Sequence, residues 1–205
     1  MCNRIKITIL TIFIISATLL FAILLTNLGE NINTYAVVRG WYLEGVGSFV
    51  NLAELLATAR EDIIKTAIHL SLLIVAIITS ITSFALTYKS LPQNNIDNLL
   101  EKNKTKTILI YSLFAIIIAG ISIYLTVHFS ITLSNWIQNY EGNRARINFI
   151  KNVTHNTAGI FLTLAFLASA LTPIILSFIS IFRSNKYSTS SEPAKELSDI
   201  KKNIL

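Results

Sequence analysis

Charge is what this chain has least of. Only 14% of its 205 residues are Asp, Glu, Lys or Arg, against 53% hydrophobic, and residues 7–26, 66–88, 107–133 and 157–182 carry no such side chain at all. A proton or cation pathway through a membrane usually needs an ionisable group at depth. A charge held there costs about 2.5 to 3.5 kcal/mol or more and persists where it is used. Its absence argues against an ion-coupled transporter acting as a monomer. Cysteine is nearly absent too: Cys2 stands alone, which excludes an internal disulfide and any thiol-disulfide exchange that needs a pair. The chain has no phosphate-cradling loop, no Gly-x-Ser-x-Gly and no His-Glu-x-x-His, so those chemistries have no local scaffold. A non-enzymatic protein is expected.

What is present is length of apolar run. Each charge-free stretch reaches the roughly 20 residues that a helix needs to cross a hydrocarbon layer about 30 Å thick. Barrel strands would alternate in polarity, and these runs do not. The expected fold is all-α, with four transmembrane helices. The first run follows Arg4 and Lys6 but is about twice as long as a signal-peptide core and lacks a small-x-small cleavage site, so an uncleaved anchor is expected.

Basic residues orient the chain. Eleven of the 17, from Arg4 and Lys6 through Lys89 to Lys106 and Arg183 to Lys202, fall on one side of the four spans. Six, Arg39, Arg60, Lys65, Arg144, Arg146 and Lys151, fall on the other. The richer side is expected in the cytoplasm, with both termini, in a bacterial inner membrane. Six outer acids cancel the six outer bases, leaving the net charge of +6 inside. Anionic lipid headgroups account for such a basic face without nucleic acid as a partner.

Two outer segments echo each other. Ala59, Arg60, Ile64, Lys65 and His69 recur in type and spacing as Ala145, Arg146, Ile150, Lys151 and His155. Shorter matches, such as Lys6-x-Thr8-Ile9-Leu10 with Lys106-Thr107-Ile108-Leu109, keep the same order. The pattern predicts two tandem pseudo-symmetric hairpins related by an axis along the membrane normal. Residues 1–89 form the first, with a longer outer loop; 90–106 a cytoplasmic loop; 107–183 the second; and 184–205 a flexible cytoplasmic tail. Within the longer loop, residues 46–58 carry apolar positions at helical spacing and predict a separate surface helix. Thr58-x-x-Glu61 then reads as a capping box that starts the second membrane helix. Glu61 and Lys65 are placed to pair at i,i+4.

His69, His128 and His155 are the candidate metal or haem ligands. Helical rise puts all three toward the outer side, and imidazole ligates both metal ions and haem iron. Histidine is also common at interfaces without any ligand, and no carboxylate accompanies these at metal-site spacing on the same helix. Arg60, Lys65, Arg146 and Lys151 would form an outer basic collar, or snorkel to headgroups and set helix depth. Trp41, Tyr42, Trp136 and Tyr140 are expected as an outer aromatic belt. Pro173 is expected to kink the fourth helix.

The function these features suggest is binding another membrane or extracytoplasmic protein, as an accessory subunit, immunity protein or exclusion factor, or self-association as a homo-oligomer. One alternative is electron transfer through haem b or a metal ion on the outer histidines. Another is an oligomeric pore or lipid transporter.

Overall fold

In a computed structural model the chain is described over residues 3–45, 51–90, 97–138 and 146–202, with side chains over 4–45, 51–87, 106–138, 149–179 and 181. Four helices account for nearly all of it: α1 Asn3–Glu44, α2 Leu52–Ser90, α3 Asp97–Gln138 and α4 Arg146–Lys202. All four are long and apolar enough to cross a membrane. Only 22 to 39% of each most apolar window is buried within the bundle, so side chains such as Ile7, Ile116 and Phe161 face outward. In water that surface would drive aggregation, whereas in lipid it faces matching hydrocarbon.

Many serines and threonines in these helices satisfy their hydroxyls locally. Ser16, Ser80 and Thr163 are buried and each donates to the carbonyl four residues back, at 2.6 to 2.8 Å. No polar partner is then needed from the neighbouring helix or from lipid.

Helix ends depart most from the sequence expectation. The outer stretch after residue 26 does not begin a loop: α1 runs on to Glu44 and stops where Gly45 takes φ 64°, a left-handed conformation that suits glycine after a helix end. The second helix does not start at Thr58. Asn51 precedes Leu52, accepts the Glu54 amide on its Oδ1 at 3.4 Å and donates from Nδ2 to the Glu54 carboxylate at 3.1 Å. This is a cap with the three-residue spacing of the box expected seven residues later, its second bond running between the two side chains and not to the backbone of the cap residue. Thr58 lies inside the helix, donating to the Glu54 carbonyl at 3.0 Å. Residues 52–58 are therefore part of α2 and not a separate surface helix, while 46–50 lie outside the described residues. At the opposite end α3 already begins at Asp97, so much of the expected 90–106 loop is helical. α4 runs as helix through Lys202, into the segment 184–205 expected as a cytoplasmic tail.

Consecutive helices pack antiparallel. α1 touches α2 and α4, α3 touches α2 and α4, and α2 meets α4 across the middle, whereas α1 and α3 do not meet among the described residues. The core is an apolar column between two polar layers. Near the end where α1 starts, Phe13 packs its ring 5.1 Å from Phe84 and 5.4 Å from Phe166. Below that cluster, Thr87 donates to the Tyr111 hydroxyl at 3.2 Å and lies 3.2 Å from the Ser177 hydroxyl, joining α2, α3 and α4. Pro173 is fully buried in α4, which stays helical through it. Leu20, Leu73, Ile118, Leu125 and Phe129 are almost wholly inaccessible and fill the axis toward the other end.

Candidate functional site

Above that column the four helices part around a polar cavity of about 320 Å³. Each helix contributes one stripe at spacings of three and four, the period that keeps residues on one helix face. α1 supplies Asn27, Glu30 and Asn31; α2 supplies Asp62, Lys65, Thr66 and His69; α3 supplies His128, Thr132 and Trp136; α4 supplies Asn152, His155 and Asn156. No aliphatic side chain is among them.

Polar contacts tie the four helices together at this level. Asn31 donates to Thr66 Oγ1 at 2.9 Å and to the Asp62 carbonyl at 3.3 Å, clamping α1 to α2. Lys151 of α4 pairs with Glu30 of α1. His69 of α2 lies with Nε2 3.1 Å from the Tyr124 hydroxyl of α3. Its ring also packs on His128, with centroids 3.9 Å apart and planes at 43°. α3 and α4 approach closely because residue 159 is glycine: Phe129 fills the space where its side chain would lie.

All three expected histidines therefore line one cavity, but in different ways. His69 is buried at its floor, with 4% of its surface exposed, while His128 and His155 are half-buried. Among the described residues no three His, Cys, Asp or Glu side chains surround a common point as placed. Nor do His69 and His128 stand on opposite sides of a gap. Axial haem ligands point their nitrogens at the iron between them; these two rings lie against each other.

The expected basic collar is largely neutralised where it is described. Lys65 pairs with Glu61 at 2.9 Å within α2, and Lys151 pairs with Glu30 on α1. Arg60 is exposed, and the Arg146 side chain lies outside the described side chains. The aromatic residues occupy different levels. Trp136 lines the cavity, while Trp41 lies about 15 Å beyond Asn31 along α1 at 1.5 Å per residue. Trp41 and Tyr42 are both exposed, and Tyr140 lies outside the described residues.

Sequence reasoning missed the asparagines. Asn27-x-x-Glu30-Asn31 and Asn152-x-x-His155-Asn156 have the same spacing, and both sit inside helices. Asparagine is a poor helix former that favours caps and turns. Paired at i,i+4 beside a long apolar run, it marks a polar stripe, and that signal would have located two walls of the cavity.

No family model matches this chain, and neither the curated proteins nor the solved structures give a match. The functional reading rests on the geometry alone.

Proposed function

We propose that this chain acts without catalysis, by binding another protein at the outer side of a bacterial cytoplasmic membrane, with both termini in the cytoplasm. An accessory subunit, an immunity protein and an exclusion factor all fit this description. The observation that carries the reading is the outward run of α1 and α2 beyond the polar cavity. Past Glu30, α1 continues for about 21 Å to Glu44. α2 starts at Leu52 and runs back beside it, so the two form a hairpin that extends outward beyond the Glu30–Lys151 pair.

The hairpin has a seam of its own. Val38 and Ala59 are both buried, at the level expected from continuing the Asn31–Thr66 register outward. Its tip nevertheless exposes Trp41, Tyr42, Leu43 and Leu55, with Leu43 73% accessible. Large apolar and aromatic side chains gathered beyond the last shared polar layer suit a protein interface, where tryptophan and tyrosine are favoured anchors. The filled axis below the cavity supports the same choice over a pore through a single chain.

Site-specific photocrosslinking in native membranes tests this. A photoreactive residue at 41 or 43 is expected to give a discrete hetero-adduct, absent when the probe replaces lipid-facing Ile116. Adducts at 41 and 43 with lipid alone, or with no protein above the Ile116 background, would remove the reading.

A further inference from the structure

The cavity has a chemistry of its own that partner binding through the hairpin tip does not use. Small-molecule pockets are usually lined mostly by apolar side chains around a few polar groups, and this one reverses that balance. At about 320 Å³ it lies at the small end of their usual range of about 300 to 1,000 Å³. That is room for one polar ring and not for a peptide.

Charge argues against an ion of either sign. The two ammonium groups at this level are already paired, Lys65 with Glu61 and Lys151 with Glu30. An anion would also meet the carboxylates of Glu30 and Asp62 on the cavity wall. A cation would have to settle beside Lys65, which shares the α2 wall with Asp62 and His69, and like charges repel. The lining suits a neutral solute.

Its polar groups narrow the class. Four asparagines, two each from α1 and α4, and three imidazoles line the cavity. An amide carries donors and an acceptor in one plane, and a neutral imidazole carries one of each. Some of this capacity is not spent within the protein: among the described residues the side chains of Asn27, Trp136 and His155 make no hydrogen bond. A hydroxyl is also donor and acceptor at once, so a ring bearing several hydroxyls matches such walls on α1, α3 and α4 together. Asp62 adds a carboxylate that accepts from them. Trp136 contributes a broad apolar face with an N–H at its edge, in a lining that holds no aliphatic side chain. A sugar has use for both halves of that side chain, since its ring presents C–H groups on its faces and hydroxyls around its rim.

We propose that this cavity binds a neutral polyhydroxylated ring of monosaccharide size, with its C–H face on Trp136 and its hydroxyls bonded to Asn27, Asp62 and His155. A free sugar and the headgroup of a glycolipid present this same chemistry.

The test uses the full chain carrying Trp41→Phe, which leaves Trp136 as the only indole, purified in a detergent without a sugar headgroup. D-glucose, D-galactose, D-mannose and N-acetyl-D-glucosamine are titrated against its fluorescence. Each is then offered as the monoglycosyl diacylglycerol in phosphatidylcholine nanodiscs, with plain diacylglycerol as the blank. A saturable change with at least one of these eight probes is expected. Response to the free sugar assigns a soluble ligand, and response to the lipid-linked form alone assigns a headgroup. Asn27→Ala should weaken that binding by about threefold or more, and Asp62→Ala by about tenfold or more, because bonds to a charged acceptor are the stronger. Asn27 is half-buried and Asp62 exposed, and the sugar-free Tm of each variant checks that it folds. Choline chloride and sodium phosphate, a cation and an anion, should leave the fluorescence unchanged. No saturable response to any of the eight probes, a response to choline or phosphate as strong as to the best sugar, or unchanged affinity in the two variants overturns the proposal. None of these results bears on crosslinking at the hairpin tip.

Discussion

The ring of Phe129 fills the space that a side chain at residue 159 would need: a Cβ added to Gly159 would lie 2.7 Å from two of its ring carbons and 2.8 Å from Cγ. The contact includes the base of the ring, and Phe129 is fully buried, so a small tilt does not relieve it. Gly159→Ala adds helix propensity of about 1 kcal/mol, but overpacking a filled core costs about 1 to 3 kcal/mol. The clash is expected to win, lowering Tm in detergent. Phe129→Leu should be costly alone yet partly rescue Gly159→Ala, so a double-mutant cycle would give a favourable coupling. Additive effects would mean that the two residues do not meet.

Two sets of buried hydroxyls that do not simply bond back to their own helix have opposite expected behaviour. Thr87 bonds to Tyr111 and Ser177 on two other helices. Thr87→Val keeps the shape but strands those partners, and measured losses for such bonds in membranes average about 0.6 and reach about 1.7 kcal/mol. Ser83 and Ser122 are buried with hydroxyls that meet no partner. Replacing either by alanine removes an unpaired polar group, so stability should hold or rise. Thermal unfolding of the three variants side by side checks the order. A Ser83→Ala loss as large as that of Thr87→Val would contradict it.

The spans were legible because charge is excluded from hydrocarbon, and the first acid after residue 26 does mark where α1 leaves the apolar run. It does not mark where the helix ends. Glu30, Arg39 and Glu44 interrupt apolarity without interrupting backbone hydrogen bonding, so counting charge shortened α1. The real stops were local: Gly45 with positive φ and the cap formed by Asn51 with Glu54. Thr58-x-x-Glu61 has the right letters for a cap, but an earlier one pre-empted it. In the site, helical rise was enough to bring the three histidines to one end. Their facing a common cavity depends on the rotation of each helix, which packing decides. Tyr124 shows the limit: nothing local distinguishes it from a lipid-facing tyrosine, and 47% of it is exposed, yet its hydroxyl reaches His69.

The Glu30–Lys151 pair joins α1 to α4 at the cavity mouth, but both side chains are more than 40% exposed. Exposed pairs contribute little, typically under about 1 kcal/mol. A Glu30→Gln, Lys151→Gln double-mutant cycle should therefore show weak coupling that shrinks further as salt rises, since the Debye length falls to about 3 Å at 1 M. Coupling well above that range and insensitive to salt would mean that the pair is shielded from water in the membrane.

Asn51 carries the start of α2, and with it the shape of the projecting hairpin. Its side chain accepts the Glu54 amide and reaches the Glu54 carboxylate, and that carboxylate sits in the first turn, where the helix dipole favours negative charge. Losing an asparagine cap for alanine costs about 0.5 to 2 kcal/mol. Because the cap lies far along the hairpin from the bundle core, the loss should appear as local fraying and not as global unfolding. In Asn51→Ala, the amides of Glu54 and Leu55 should exchange hydrogen faster while those near Leu73 keep their protection. Thr58→Ala removes only a back-bond to the Glu54 carbonyl inside the helix, so its amides should exchange as in the parent chain. If Thr58→Ala frayed the helix and Asn51→Ala did not, the second membrane helix would begin at Thr58, and the projecting hairpin would lose the first turns of α2.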